Sequence, residues 1–379
     1  MNRLGDILEF AGIPERIHHP EREKFVTVRM NCGGAIERVI KDGKTPVVFT
    51  GYRVSAGQFV YSRIDARNGA FAVVPERLDG AVVSKDFPVF NIREQKVDPR
   101  YLEFFFQSGQ LEAQIRARSR GATNRQRIGE DEFLDFPVLL PVLDEQRRIA
   151  AILDHATAIL TQMRRLRGTI DLVEGSMYRA AVVGVEASAS LSELVDDEDR
   201  INYGIVQPGE DVAGGVPMIR VADLSGGVVR RDKLKRVSGA IEASHKRSRL
   251  RGHEILVSCV GSIGQVALVE AADVGSNVAR AISRVPIADS NLRSFVAAAL
   301  RSQDVQRYWK SELRTVAQPT LNVKQLAATR IPLVARRDLE DFSSRMHAVN
   351  ELRKSAELRE GLAQSLVASL RARAFRGEL

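Results

Sequence analysis

The densest set of groups able to do chemistry is Arg116, Arg118, Arg120, Arg125 and Arg127, interrupted by Gly121, Ala122, Thr123 and Asn124. Guanidinium groups offer paired donors to phosphate or to guanine, and a glycine lets a backbone approach closely. The pattern points to DNA contact, mostly at phosphate; a solvated helix end is the plain alternative. A second set, Arg63, Asp65, Arg67 and Asn68, precedes Gly69 between two strand-like runs. Arg67 and Asn68 suit base edges, whereas Arg63 and Asp65 suit a pair with each other.

Further along, residues 230–236 and 245–251 are two basic runs, with Lys246 and Arg247 in the second. Such runs are solvated faces or phosphate contacts. Ser262 lies in a Gly-x-x-Gly turn, which suits phosphate or a plain bend. Residues 315–324 (TVAQPTLNVK) are polar with few charges, so contacts there would be hydrogen bonds from Gln318, Thr320 and Asn322. Tyr203, Gln207 and Arg220 complete the candidates; glutamine can pair with adenine, and a tyrosine between Asn and Gly is also a common turn residue.

Groups for catalysis are missing. The sequence has no phosphate-loop lysine motif, no Gly-x-Gly-x-x-Gly between strand and helix, no Gly-x-Ser-x-Gly and no His-Glu-x-x-His. The acidic run 196–199 has no spaced ligand set and reads as a solvated loop. Cys32 and Cys259 lack metal spacing, exclude a disulfide framework and read as small core residues.

The elements that position the basic residues come in two copies. The chain has 379 residues, enough for two domains with connectors. It is 44% hydrophobic and 27% charged, so it can bury real cores. Lys and Arg number 56 against 48 for Asp and Glu, leaving +8, a field that favours a polyanion. The N-terminus reads as no signal peptide and no stretch reads as a membrane span, so a soluble, cytoplasmic chain is expected. Gly57, Gly69 and Gly80 recur as Gly252, Gly264 and Gly275, each pair 195 residues apart, and FPVL at 136–139 recurs as IPLV at 331–334. Each copy opens with short β-branched runs bounded by Gly, Asp and Pro, hence strands. A helix is expected over 99–117 and over 292–313. The predicted fold is α+β, with two mixed α/β domains, each on a largely antiparallel sheet.

Each copy ends in a helical tail. In the first, Ile149, Ile152, Ala156, Ile159, Met163, Leu166, Ile170, Val173, Met177 and Ala180 step by threes and fours, a heptad seam. The second has Leu339, Phe342, Met346, Val349, Leu352, Ala356, Leu362, Leu366, Leu370 and Ala374, in a less regular stripe. A helix of forty residues is roughly 60 Å long. Each seam needs a cover: the other tail in an antiparallel pair, or the tail's own domain. Residues 182–190 read as the linker. The expected division is 1–140, helix 141–184, 185–335 and helix 336–379.

The segment PVLDEQRRIAAILD at 141–154 resembles the start of the conserved helix in type I restriction–modification specificity (S) subunits. RIDARNGAFAVVPERLDGAVVSKDFPVF at 63–90, INYGIVQPGED at 201–211, GVPMIRVADL at 215–224 and RAFRGEL at 373–379 are also similar to that family, in its order. The start departs slightly, with Leu140-Pro141 for a double proline, and the second helix opens ARRDLED without the Glu-Gln pair. The resemblance implies two target-recognition domains related by a pseudo-twofold repeat, each reading half of a split double-stranded DNA site. It implies two long antiparallel coiled-coil helices that fix the spacer and dock two methyltransferase (M) subunits, with restriction (R) subunits joining. S-adenosylmethionine, ATP and Mg then belong to those partners, and this chain is non-catalytic with no cofactor or metal. The rivals are a stand-alone DNA-binding or coiled-coil scaffold protein, and an enzyme with an unrecognised site.

Overall fold

The computed structural model describes residues 2–40, 47–118, 127–195, 198–313 and 319–379. They form two compact units, 1–159 with 364–379, and 160–363. In the first unit a four-stranded antiparallel sheet runs in the order Leu8–Phe10, Val89–Ile92, Phe59–Tyr61, Phe71–Val73. Its inward aromatics meet helix α1, Pro99–Gln107: Phe106 stacks on Phe59 and Phe71 at 4.9 and 4.6 Å between centroids. Asp98 caps α1 by accepting from the Tyr101 N–H, and Pro99 fills the first turn. The expected single helix breaks at Gly109, whose φ of 77° ends α1 before α2, Glu112–Arg118. Helix α3, Glu130–Leu134, brings Phe133 onto Tyr61 at 4.1 Å.

Helix α4, Leu143–Ala181, follows the proline. Gln146, 1% exposed, ties its start down: the amide donates to the Lys96 and Pro141 carbonyls and accepts from the Asp98 N–H. Gly184, at φ 74°, lies just past its end. The expected linker is only partly a linker, since Ser188–Ser190 is a strand paired with Arg330–Pro332.

The second unit holds a sheet of the same order: Asn202–Tyr203, Ile282–Pro286, Glu254–Ser258, Val266–Leu268. A smaller sheet contains one parallel pair, Val216–Ile219 with Asn277–Val278. After the short α5, Gly239–Ala243, the second expected helix is also two, α6 Ser290–Arg301 and α7 Gln303–Glu312. Ser302 leaves helical dihedrals there and caps α7. Helix α8, Val323–Ala327, precedes the last helix, α9, Arg336–Ala374.

Part of the acidic run is a structural anchor rather than a solvated loop. Asp199 grips the fully buried Arg284 at 2.5 and 2.7 Å, and Arg284 also reaches Glu254 at 2.9 Å. Asp196 and Asp197 lie outside the described residues. The hydrogen bonds from Arg284 hold the Asp199 carboxyl below its ordinary value. A depressed carboxyl stabilises fully above the unfolded pKa near ~3.9 and stops doing so as pH falls through the folded value. Stability of this unit, followed by Trp309 fluorescence, is therefore expected to hold from neutrality down to about pH 5 and to drop below about pH 4. Asp199→Asn should flatten part of that drop; an unchanged profile in the variant would refute the assignment.

The buried stripes of α4 and α9 differ from the apolar seams read above. On α4 the inward row is Ile149, Leu153, Ala156, Leu160, Met163, Arg167, Ile170, Glu174 and Tyr178, whereas Leu166 and Val173 are exposed. On α9 it is Phe342, Met346, Val349, Arg353, Ala356, Glu360, Ala363, Val367, Leu370 and Ala374, whereas Leu352, Leu362 and Leu366 face out. The second row alternates fours and threes without a break once Arg353 and Glu360 are counted. Within the second unit Arg167 reaches Glu360 and Glu174 reaches Arg353, so the two helices run antiparallel there.

Candidate nucleic-acid interface

In the second unit the edge strand Asn202–Tyr203 pairs with Ile282–Pro286, opposing Tyr203 to Ser283. Gly204 follows because nothing larger fits: a Cβ there would lie 1.7 Å from the Val278 carbonyl oxygen. The strand therefore lies close on the sheet and presents Tyr203, 55% exposed, at the rim of a cavity of about 510 Å³. The opposite wall is the turn into α8. Thr320 bridges to Val260, and the Asn322 side chain accepts from the Gln325 N–H as the cap of α8. Three sequence candidates, Tyr203, Thr320 and Asn322, thus come together from positions more than a hundred residues apart.

Two further cations line the same cavity, Arg280 and Lys324. Among the described residues neither is in an ion pair, so their charge is available to an anion. The cavity floor is apolar, with Val260, Leu321 and Cys259; burial pushes the Cys259 thiol up, so it stays neutral. A basic rim, an exposed aromatic face and hydroxyl and amide groups form a surface suited to a nucleic-acid backbone and its base edges. Sequence reasoning passed over Arg280 and Lys324. The signal was present for Lys324, the only cation of 319–324, but Arg280 stands alone in its stretch.

The other candidates of this unit divide. Lys246 and Arg247 are exposed on a short turn held to the Tyr203 strand, since Asn202 donates to the Arg247 carbonyl at 3.2 Å. Gln207 is exposed just beyond Val206 of the cavity wall. Ser262 is exposed, but its turn is packed in place: a Cβ on Gly264 would meet the Gln306 amide at 2.4 Å, and the Ser262 carbonyl accepts from Ser258. Arg220 is committed to Asp223 at 2.9 Å and to the Lys233 carbonyl. Much of the two basic runs is likewise engaged: Arg231 with Asp273, Arg249 with Glu242, Arg251 with Asp199. Gln318 lies outside the described residues.

In the first unit Arg63 and Arg127 come together, because the Ile128 N–H donates to the Arg63 carbonyl and the Arg63 N–H to the Asp86 carbonyl. Arg63 pairs with Glu130 rather than Asp65, and Arg127 with Asp86 at 3.2 Å. Asp65 accepts from Asn68 instead. The loop carrying Arg67 and Asn68 is pinned by a left-handed turn. Asn31 and Cys32, at φ 54° and 52°, donate their N–H groups to the Asn68 and Gly69 carbonyls at 2.7 Å. Cys32 is a half-buried turn residue packed against the edge of the core, its thiol raised by burial to about 11. Arg118 lies over the Phe136 ring and pairs with Asp135, while Arg116 is exposed on α2. Arg120, Asn124 and Arg125 lie outside the described residues.

Residues 35–168 match the type I restriction modification DNA specificity domain. The chain is 27% identical over 380 residues to the specificity subunit of the type I restriction enzyme EcoBI from Escherichia coli, an alignment spanning 90% of this chain and 79% of that one. Its fold is similar to that of the type I restriction–modification S subunit from M. genitalium, with a TM-score of 0.55 and 12% identity over 99% of this chain and 95% of that one. The HsdS subunit from Thermoanaerobacter tengcongensis aligns at 19% identity over 100% and 96% of the two chains, with a TM-score of 0.39. The domain match over residues 35–168 and the alignment along nine-tenths of the chain make this chain similar to the type I restriction–modification specificity subunits.

Proposed function

We propose that the chain reads a bipartite DNA site, one half with residues 1–140 and the other with residues 185–335. The helices over 141–184 and 336–379 act as an antiparallel coiled coil that sets the interval and docks two methyltransferase subunits, to which restriction subunits add. The supporting observation is the recurrence of one four-stranded sheet order in both units, which is what two related readers of two half-sites require. The basic cavity around Tyr203 is the reading surface of the second half. S-adenosylmethionine, ATP and Mg belong to the partner subunits, and the complex works in the cytoplasm. Among the described residues no helix is long and apolar enough to cross a membrane.

Co-expression with the methyltransferase encoded beside it, followed by mapping of methylated adenines, tests the reading. The expected result is a split motif with one fixed spacer, and a swap of residues 1–140 for those of a relative should change one half alone. Specific sites exceed non-specific ones by roughly 10³–10⁷ in affinity, so the new half should replace the old one rather than blur it. Methylation without a split motif, or no association with the methyltransferase, would remove the proposal and leave a free-standing binding or scaffold protein.

A further inference from the structure

The helix seam of the second unit is charged at matched places. Glu174, Arg353 and Glu360 occupy inward positions and are 3%, 1% and 4% exposed. Arg353 donates to Glu174 at 2.6 Å and to Asp171 at 3.1 Å. Two turns away Arg167 meets Glu360 at 2.7 Å and Glu357 at 3.5 Å. A third party enters from outside the helix pair. Arg301, at the end of α6, donates to the other Glu174 oxygen at 2.7 Å and to the Val266 and Gly227 carbonyls.

The recognition fold also rests its Gly226–Gly227 turn on this network. A Cβ on Gly226 would lie 2.9 Å from the Glu357 carboxylate, and one on Gly227 3.0 Å from Arg353 and 3.1 Å from Arg301. Lys354 adds an ion pair to Glu270 at 2.6 Å. Buried charges of this kind contribute little net stability over apolar residues of similar volume, but they can specify one alignment. Here both one-heptad slips are penalised. Sliding one way sets Glu174 against Glu360, and sliding the other way sets Arg167 against Arg353.

The geometry points to Glu174, Arg301 and Arg353 as positioning residues. They hold the helix pair in a single register and fasten the second recognition fold to it, which fixes the spacing at which the second half-site is accepted. This rests on the bipartite reading proposed above. A base pair is about 3.4 Å of DNA axis, so a fold that shifts by that much accepts a neighbouring spacer.

The test uses the full chain in its methyltransferase complex, with adenine methylation mapped over sites of every spacer length. The variant Glu174→Leu with Arg301→Met and Arg353→Leu, which removes the whole buried triad, is expected to melt at or above the wild-type temperature and to keep both half-site sequences. Its discrimination against spacers one base pair longer or shorter should fall at least tenfold. A merely structural role would lower the melting temperature and leave spacer choice alone. Arg301→Met alone keeps the Glu174–Arg353 contact and removes the Arg301 tie to the fold, leaving Lys354–Glu270 in place, so it decides the matter if the triple variant does not fold; it too should relax the spacer. Unchanged spacer discrimination in a folded variant, beside a wild type with a split motif, overturns this inference alone. A wild type with no split motif removes the underlying reading as well.

Discussion

Arg284→Ala is expected to destabilise the second unit by about 3–5 kcal/mol, the cost of leaving a buried charge without its partner. Arg284 is fully buried and is held by both Asp199 oxygens, by Glu254 and by the Arg247 carbonyl. Glu254 is itself fully buried and accepts the N–H groups of Arg251, Gly252 and His253. Removing the guanidinium leaves the fully buried Glu254 with no ion-pair partner among the described residues, and leaves Asp199 only Arg251 and His253 at 3.4 and 3.3 Å. Trp309 reports the loss cleanly, since it is the single tryptophan of the chain and is buried in this unit. Urea denaturation followed by its emission should show the midpoint moving far down. Arg284→Ala combined with Asp199→Asn and Glu254→Gln should recover part of the loss, because the repelling charges go with it. A single variant within about 1 kcal/mol of wild type would show that the cluster is solvated.

The same cluster explains why the acidic run was misread. Asp199 carries no mark in the sequence that separates it from its acidic neighbours; its partner Arg284 lies 85 residues away. The helices show the same limit in another form. Heptad spacing revealed that the tails were amphipathic and where they began and ended, because apolar periodicity is local. It placed the inward face one residue off along much of the seam. Leu166 and Val173 are more apolar than Arg167 and Glu174, yet Glu174 is buried and Arg167 partly so, since each charge meets its opposite on the facing helix. The strands were legible for the opposite reason: β-branched runs between glycines carry their own signal. Of the site, Tyr203, Thr320 and Asn322 were legible as types, but their convergence is a product of sheet pairing and the Asn322 cap. The charge runs failed as a guide because Arg231, Arg249 and Arg251 already have carboxylate partners.

That last point sets the second large effect. Arg280→Ala with Lys324→Ala is expected to weaken DNA binding by the assembled complex more than any pair drawn from the ion-paired arginines. A cation free of carboxylates releases DNA counterions when it meets a phosphate, whereas one already paired contributes less field. Each B-DNA phosphate contact adds about 0.9 to the slope of log affinity against log salt, so losing two should make the slope shallower by about two. The loss should be nearly equal on cognate and scrambled duplexes, because phosphate contacts position without reading sequence. Arg231→Ala with Arg249→Ala serves as the comparison: it should leave the slope nearly unchanged while lowering stability, since each removal strands a buried carboxylate, Asp273 or Glu242. Tyr203→Ala separates the remaining term, with the salt slope kept and affinity reduced, because an aromatic face contributes no counterion release. A slope that stays the same after Arg280 and Lys324 are both removed would place the DNA away from this cavity, and with it the reading surface of the second half-site.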